Sequence, residues 1–187
     1  MTAKEAKTRL EEGNKKYLQA EVSGGDVSKG LRLKTATEGQ FPYAVVVTCS
    51  DSRVIPESIF SAGIGEIFVI RVAGNVMDPH QIGSVEYAVE HLGAKLVVVL
   101  GHTGCGAVDA AINSKPEGYI KYLTDEILKG IGTEKDAYKA CCLNVKHSCS
   151  VIEEKLKIQQ YNNEQGDVPQ MIGAVYHLDN GEVEFLD

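Results

Sequence analysis

The sequence YAVVVTCSDSR at residues 43–53 joins a short apolar run to a cluster of reactive side chains. An uninterrupted apolar run of this length is typical of a β-strand that is buried on both faces. Two similar runs follow it, EIFVIRV at residues 66–72 and KLVVVLGH at residues 95–102. The three runs predict strands in the interior of one sheet.

Helical patterns separate and flank these predicted strands. Residues 80–93 place apolar side chains at helical spacing, and strands that alternate with helices favour a parallel sheet. The turn signal Asp179-Asn180-Gly181 lies between two further apolar segments and predicts a hairpin, which adds an antiparallel C-terminal edge strand. We therefore predict an α/β fold with about four parallel strands, that one antiparallel strand and flanking helices. The other predicted helices are residues 2–20, 118–129 and 133–160.

The chain length of 187 residues suits a single domain over residues 1–187. Residues 1–30 comprise an extended N-terminal helix and a Gly/Ser-rich connector, and we expect this helix to stand apart from the main body. Thr2 and Glu5 predict a capping box at its start.

Composition excludes several classes of function. The net charge of −7 removes the electrostatic basis for binding nucleic acid. The N-terminus has no apolar signal-peptide core, and no apolar run reaches the roughly 18 residues that a membrane span requires. We therefore expect a cytoplasmic protein that binds neither membranes nor nucleic acid.

The cysteine content points to metal binding or catalysis. The chain has five cysteines, an odd number, and the expected compartment is reducing. A disulfide framework is therefore not expected. Three of these residues, Cys141, Cys142 and Cys149, lie on a predicted helix away from the strand ends, and we interpret them as buried packing residues.

The remaining two cysteines follow predicted strands. Cys49 comes directly after the first strand, and the third strand runs into GHTGCG at residues 101–106, which contains His102 and Cys105. Ligands of parallel sheets bind beyond the carboxyl ends of the strands, so these side chains can converge. Two thiolates and an imidazole form a ligand set that suits Zn²⁺.

Taken one at a time, Cys49, His102 and Cys105 could also be packing residues without a metal. A buried cysteine is common in protein cores, and an isolated His-x-x-Cys pair is a weak signal. The joint placement at strand ends, beside Asp51 and Arg53 and among glycines, favours a metal site over packing. Cys105 is also expected to begin a helix, where the helix dipole favours a thiolate.

Three protein ligands leave the fourth position of a tetrahedral zinc ion open, which is typical of a catalytic site. Two arrangements of Asp51 remain. Its carboxylate either binds the metal and closes the site, or pairs with Arg53 and accepts a hydrogen bond from water on the metal.

The motifs CSDSR and GHTGCG, in this order and on these strand ends, resemble the two signatures of the β-class carbonic anhydrases. The resemblance extends from about residue 40 to residue 111 and more loosely to the C-terminal GAVYHLDNGEVEFL. It implies reversible hydration of CO₂ to bicarbonate and a proton by attack of zinc hydroxide. Zn²⁺ is the implied cofactor.

The resemblance also implies roles for individual residues. Cys49, His102 and Cys105 would bind zinc, and Asp51 and Arg53 would form the catalytic dyad. The implied substrate-binding residues are Gln40, Phe68, Tyr87 and the backbone N–H of Gly106. A dimer or tetramer is implied, with residues 1–30 packing on a neighbouring subunit.

Three other functions are compatible with parts of the pattern. A relative that hydrolyses carbonyl sulfide or carbon disulfide would use the same zinc residues. A non-catalytic zinc protein would not need Asp51 and Arg53, which are both present. A thiol-redox protein is disfavoured because the chain has no Cys-x-x-Cys motif.

Overall fold

A five-stranded sheet forms the centre of the computed structural model, which describes residues 1–19, 24–156 and 169–186. The strand order is β2-β1-β3-β4-β5, and only the β4–β5 pairing is antiparallel. The predicted α/β fold and its antiparallel edge strand are confirmed. The strands are β1 (Ala44–Thr48), β2 (Ile67–Arg71), β3 (Leu96–His102), β4 (Gln170–Tyr176) and β5 (Val183–Phe185).

Seven α-helices and one 3₁₀ turn, Ala73–Asn75, surround the sheet in the described residues. The predicted helix 133–160 begins four residues late, and its last four residues lie outside the described part of the chain. The helices are α1 (Ala3–Gln19), α2 (Lys29–Glu38), α3 (Pro56–Ile59), α4 (Pro79–Glu90), α5 (Gly106–Asn113), α6 (Ile120–Ile131) and α7 (Ala137–Leu156).

Both faces of the central strands are covered, which explains why their sequences are apolar without alternation. On one face Val46 and Val98 pack in a cluster with residues of α1 and α3. On the other face Val47 and Val99 pack with residues of α4 and α7. All five residues of β1 and all seven of β3 are buried.

The N-terminal helix does not stand apart from the main body, so that expectation is wrong. Its apolar stripe is buried against its own chain, and Leu10 is fully buried in the cluster with β1 and β3. The side-chain amide of Asn14 donates to the carbonyl oxygens of Ile59 and Gly181 and fixes the helix further. The predicted capping box is present, because Thr2 and Glu5 exchange hydrogen bonds at the helix start.

Helix α2 was not predicted from the sequence. It starts after an N-cap hydrogen bond from the backbone N–H of Leu31 to Ser28 Oγ. Within the described part of the chain it buries none of its own side chains, and Leu33 is 65% exposed. Its low amphipathicity explains why periodicity did not reveal it. Among the described residues, no helix combines the length and apolar character required to cross a membrane.

Candidate metal centre

The carboxyl ends of β1 and β3 lie side by side because the two strands pair in parallel, with Thr48 opposite Leu100. A buried hydrogen bond of 2.7 Å from Thr48 Oγ1 to the carbonyl oxygen of Leu100 joins these ends. Cys49 follows the first strand at once, and His102 is the last residue of the second. Residues that are 53 positions apart in sequence are thereby brought together.

Cys49, His102 and Cys105 each direct one ligand atom to the same point. These three atoms lie within 4.8 Å of one another, and all three residues are buried. Cys49 and Cys105 share a buried cluster with apolar residues of α5 and α6, so the two thiols lie in apolar surroundings. A Cys₂His set of this size suits Zn²⁺.

The hydrogen bonding of His102 supports a metal at this point. Its Nδ1 lies 2.9 Å from the carbonyl oxygen of Thr103, an acceptor that places the ring proton on Nδ1. Its Nε2 is buried and has no hydrogen-bond partner among the described residues. Because buried polar atoms are normally satisfied, the lone pair on Nε2 calls for a metal or a proton.

Contact between Cys49 and Cys105 shifts the pKa values of the two thiols in opposite directions. The hydrogen bond from the Cys105 thiol lowers the pKa of Cys49 to about 4, and the backbone N–H of Gly74 contributes to the same shift. The same contact with Cys49, together with burial, raises the pKa of Cys105. Cys49 is therefore the more acidic thiol of the pair.

Asp51 pairs with Arg53 rather than with the metal site. The guanidinium donates to both carboxylate oxygens, from Nε to Oδ1 at 2.9 Å and from the terminal nitrogen to Oδ2 at 2.7 Å. These bonds hold the pKa of the carboxyl well below its usual range. Oδ2 lies 3.9 Å from His102 Nε2, so Asp51 stands at the edge of the ligand cluster. Of the two arrangements considered above, the structure has the one that leaves the site open.

Arg53 also connects the two loops, because its terminal nitrogen lies 3.3 Å from the carbonyl oxygen of Gly104. The side chain is 57% exposed, whereas that of Asp51 is 18% exposed. Arg53 thus covers the carboxylate from the solvent side and holds it toward the ligands.

The sequence model of the carbonic anhydrase family matches residues 44–183. The chain belongs to the carbonic anhydrase family. It is 33% identical to carbonic anhydrase 2 of Mycobacterium tuberculosis, in an alignment that covers 95% of this chain and 90% of that protein.

Solved structures place the chain beside β-class members of the family. A β-carbonic anhydrase of Aspergillus fumigatus superimposes with a TM-score of 0.74 at 29% identity, and the match covers 84% of this chain and 81% of that chain. A β-carbonic anhydrase of Sordaria macrospora, described as tetrameric, gives a TM-score of 0.73 at 25% identity over 84% and 87%. The resemblance to the β-class carbonic anhydrases is confirmed.

The four residues expected to bind substrate are less closely grouped than the three expected metal ligands. Gly106 is the first residue of α5, beside Cys105, and its N–H lies in the first turn, where helices leave such groups free. Phe68 and Tyr87 form a ring pair with centroids 6.3 Å apart, and Gln40 is an exposed residue just after α2. Among the described residues, no hydrogen bond or ring contact joins Gln40, Phe68 or Tyr87 to the three ligands.

Two residues that contact the site were not predicted. Arg71, at the end of β2, donates to the carbonyl oxygens of Cys49 (3.2 Å) and Asp51 (2.7 Å). The Cys141 thiol donates to the carbonyl oxygen of His102 at 3.3 Å, so this cysteine is buried as expected but does not lie away from the site. A basic residue at the end of a neighbouring strand was the available signal for Arg71, whereas no local pattern identifies Cys141.

Proposed function

We propose that this chain catalyses the reversible hydration of CO₂ to bicarbonate and a proton, with zinc held by Cys49, His102 and Cys105. The observation that carries the proposal is the convergence of three buried ligand atoms within 4.8 Å of one another. Beside them lies the carboxylate of Asp51, whose two oxygens accept hydrogen bonds from Arg53. When bound, zinc acts as a Lewis acid that lowers the pKa of water and supplies a hydroxide nucleophile near neutral pH.

Asp51 orients the nucleophile. Its Oδ2 is close enough to the ligand cluster to accept a hydrogen bond from water there, and an ionised carboxylate only accepts. Because Asp51 would accept the hydrogen bond from one fixed position, it would orient that water so that a lone pair of its oxygen faces CO₂. Because the pKa of Asp51 is lowered, this acceptor stays ionised throughout the neutral range.

Arg53 keeps Asp51 available for this task. By donating to both carboxylate oxygens it holds the carboxylate in one orientation and opposes its movement onto the metal. At the start of α5, we propose that the backbone N–H of Gly106 donates to an oxygen of the substrate, as helix N-termini do for anions.

We also propose that Gln40, Phe68 and Tyr87 form the CO₂ pocket when a second copy of the chain contributes part of it. Tyr87 is 47% exposed beside Phe68, and an exposed aromatic pair is incomplete as an apolar pocket. Val27, Leu33 and Phe41 around α2 are exposed apolar side chains near Gln40 in sequence, which supports self-association as a dimer or tetramer.

Val27 belongs to residues 1–30, so its exposure supports the proposal that these residues contact a neighbouring subunit. The single five-stranded sheet supports the proposal that residues 1–187 form one domain. We place the protein in the cytoplasm because all five cysteines are free thiols, and the two ligand thiols must stay reduced to bind zinc.

Stopped-flow measurement of CO₂ hydration on the zinc-loaded chain tests the proposed function. The wild type is expected to bind about one zinc ion per chain and to hydrate CO₂ between about pH 7 and pH 9. Cys105→Ser is expected to lose both zinc and activity. Cys149→Ser, which changes a thiol on α7 in the same way, should retain both. A zinc-loaded wild type with no hydration activity would refute the proposal.

A further inference from the structure

Helix α7 carries three buried polar side chains on one stripe that faces the metal centre. Cys141, Asn144 and Ser148 are spaced by three and four residues, so they share one face of the helix. Each is at most 4% exposed. Buried polar groups of this kind are costly unless they form hydrogen bonds, so their partners indicate what they do.

Each of the three donates to a backbone carbonyl next to the ligands. The Cys141 thiol contacts His102 O, and Asn144 Nδ2 donates to Gly74 O at 2.8 Å. Ser148 Oγ donates to Asn75 O at 2.9 Å. Asn144 and Ser148 therefore hold two consecutive peptide units of the 3₁₀ turn that follows β2.

This turn needs such support because its backbone is unusual. Gly74 has a φ of 70° and Asn75 a φ of 46°, so two neighbouring residues adopt the left-handed region. That region is unfavourable for a non-glycine residue, although asparagine tolerates it better than most. A Cβ at Gly74 would also lie 2.8 Å from Ile127 Cδ1, so the turn fits tightly against α6.

The 3₁₀ turn also contacts one of the metal ligands. The backbone N–H of Gly74 donates to Cys49 Sγ at 3.3 Å in a buried setting. This N–H belongs to the 73–74 peptide, and the next two peptides, 74–75 and 75–76, carry the carbonyl oxygens to which Asn144 and Ser148 donate. The two side chains therefore act on the Gly74 N–H through the backbone of the turn. Hydrogen bonds to a ligating sulfur adjust how strongly it binds the metal.

We propose that Asn144 and Ser148 of α7 are positioning residues of the metal centre, which hold the Gly74 N–H against Cys49 Sγ and thereby strengthen zinc binding. The proposal rests on the zinc site proposed above. Cys141 extends the same support to the backbone of the second ligand, His102. A helix without any metal ligand thus acts on two of the three ligands.

Ser148→Ala tests this with a single-atom deletion, and Ser150→Ala is its matched control. Ser150 is on the same helix, and its hydroxyl also donates to a carbonyl oxygen, that of Lys146, but on the exposed face. Two quantities are measured well below the melting temperature: the zinc dissociation constant by chelator competition, and the sulfur-to-metal charge-transfer band of the Co²⁺-loaded chain. The melting temperature without metal is measured separately.

Loss of the Ser148 hydrogen bond is expected to weaken zinc binding about tenfold, as for other groups that support metal ligands, and to shift the Co²⁺ charge-transfer band. Ser150→Ala should match the wild type in both. Ser148→Cys, which retains a weaker donor, should fall between the wild type and Ser148→Ala, and it keeps the test valid if the alanine variant does not fold.

An unchanged zinc dissociation constant and an unchanged band in the folded Ser148 variants, even with a lower melting temperature, would overturn this proposal alone. A wild type that binds no zinc would overturn the zinc site as well. The two failures are therefore distinguishable.

Discussion

The loop after β1 and the segment after β3 form the metal centre together, but different contacts hold them. Loop 49–53 is held by side chains. Arg53 donates to both carboxylate oxygens of Asp51, and Arg71 donates to two carbonyl oxygens of the loop. Segment 101–106 continues a fully buried strand. It is fixed mainly by β4 and the residues after it, since Thr103 N–H donates to Tyr176 O at 3.0 Å.

The difference separates two tasks. Segment 101–106 supplies two of the three metal ligands, His102 at the end of β3 and Cys105 after it, from positions that the fold itself determines. The loop after β1 supplies the group that must face water, and exposed arginine side chains set its position. Changes to the loop contacts should therefore act on turnover, whereas changes to the segment contacts should act on stability.

Asp51→Asn is expected to have the largest effect within this comparison. Loss of the ionised acceptor should lower kcat/KM by about 10²–10⁴-fold, the range for a group that handles a proton in the transition state, while zinc remains bound. Stopped-flow hydration and zinc analysis check both parts. Asp125→Asn, in an exposed pair with Lys121, should change neither. Retained activity in Asp51→Asn would show that the carboxylate of Asp51 is not needed for turnover.

The pH dependence of zinc binding distinguishes the two thiols. Cys49 has a pKa of about 4 and is already ionised near pH 8, whereas the pKa of Cys105 is raised, so this thiol must lose its proton. Zinc binding should then release about one thiol proton, and affinity should fall roughly tenfold per pH unit as the pH drops. Chelator competition at several pH values above neutrality measures the slope. Zinc affinity that does not change with pH would mean that neither thiol holds a proton before zinc binds.

Arg71→Met tests the support of the β1 loop. The loop loses two hydrogen bonds to its backbone, so Asp51 should be less well placed, and kcat/KM should fall about tenfold through misorientation. Zinc content should be unchanged. Lys135→Met is the matched control, because Lys135 also donates to a backbone carbonyl, that of Ile112, at the end of α5 opposite to Cys105. Equal activity in both variants would argue against side-chain support of the loop.

Thr103→Val should have the smallest effect and a different character. Thr103 Oγ1 accepts a hydrogen bond from the backbone N–H of Leu178 at 3.0 Å, and valine retains the shape without the acceptor. The free energy of unfolding should fall by about 1 kcal/mol with kcat/KM unchanged. Denaturant unfolding measures this, with Thr37→Val on α2 as control. A fall in activity without loss of stability would show that the contacts of segment 101–106 act on turnover, contrary to the comparison.

Much of the fold follows from local patterns. The valine-rich runs predicted β1, β2 and β3 to within a residue at each end, and Asp179-Asn180-Gly181 located the hairpin between β4 and β5. These signals are strong because buried parallel strands and tight turns restrict composition locally. Helix α2 was missed because it buries none of its own side chains, so no periodic pattern was required of it.

The candidate site was predictable only in part. Its ligands and the Asp51–Arg53 pair occur in two short motifs, and the strand ends predicted that they meet. The contacts of Arg71 and of the α7 stripe connect residues about 20–73 positions apart, and they use backbone carbonyls that carry no sequence signal. The orientation of Asp51 depended on three-dimensional geometry for the same reason.

The central claim is that Cys49, His102 and Cys105 bind zinc while Asp51 remains with Arg53. X-ray absorption at the zinc edge tests it directly on the wild type and on Asp51→Asn. The account predicts two sulfur ligands near 2.3 Å, one imidazole nitrogen near 2.0–2.1 Å and one further light atom, with the same set in both proteins. A signal from the carbon of a coordinated carboxylate in the wild type, absent from Asp51→Asn, would identify Asp51 as the fourth ligand and contradict the account.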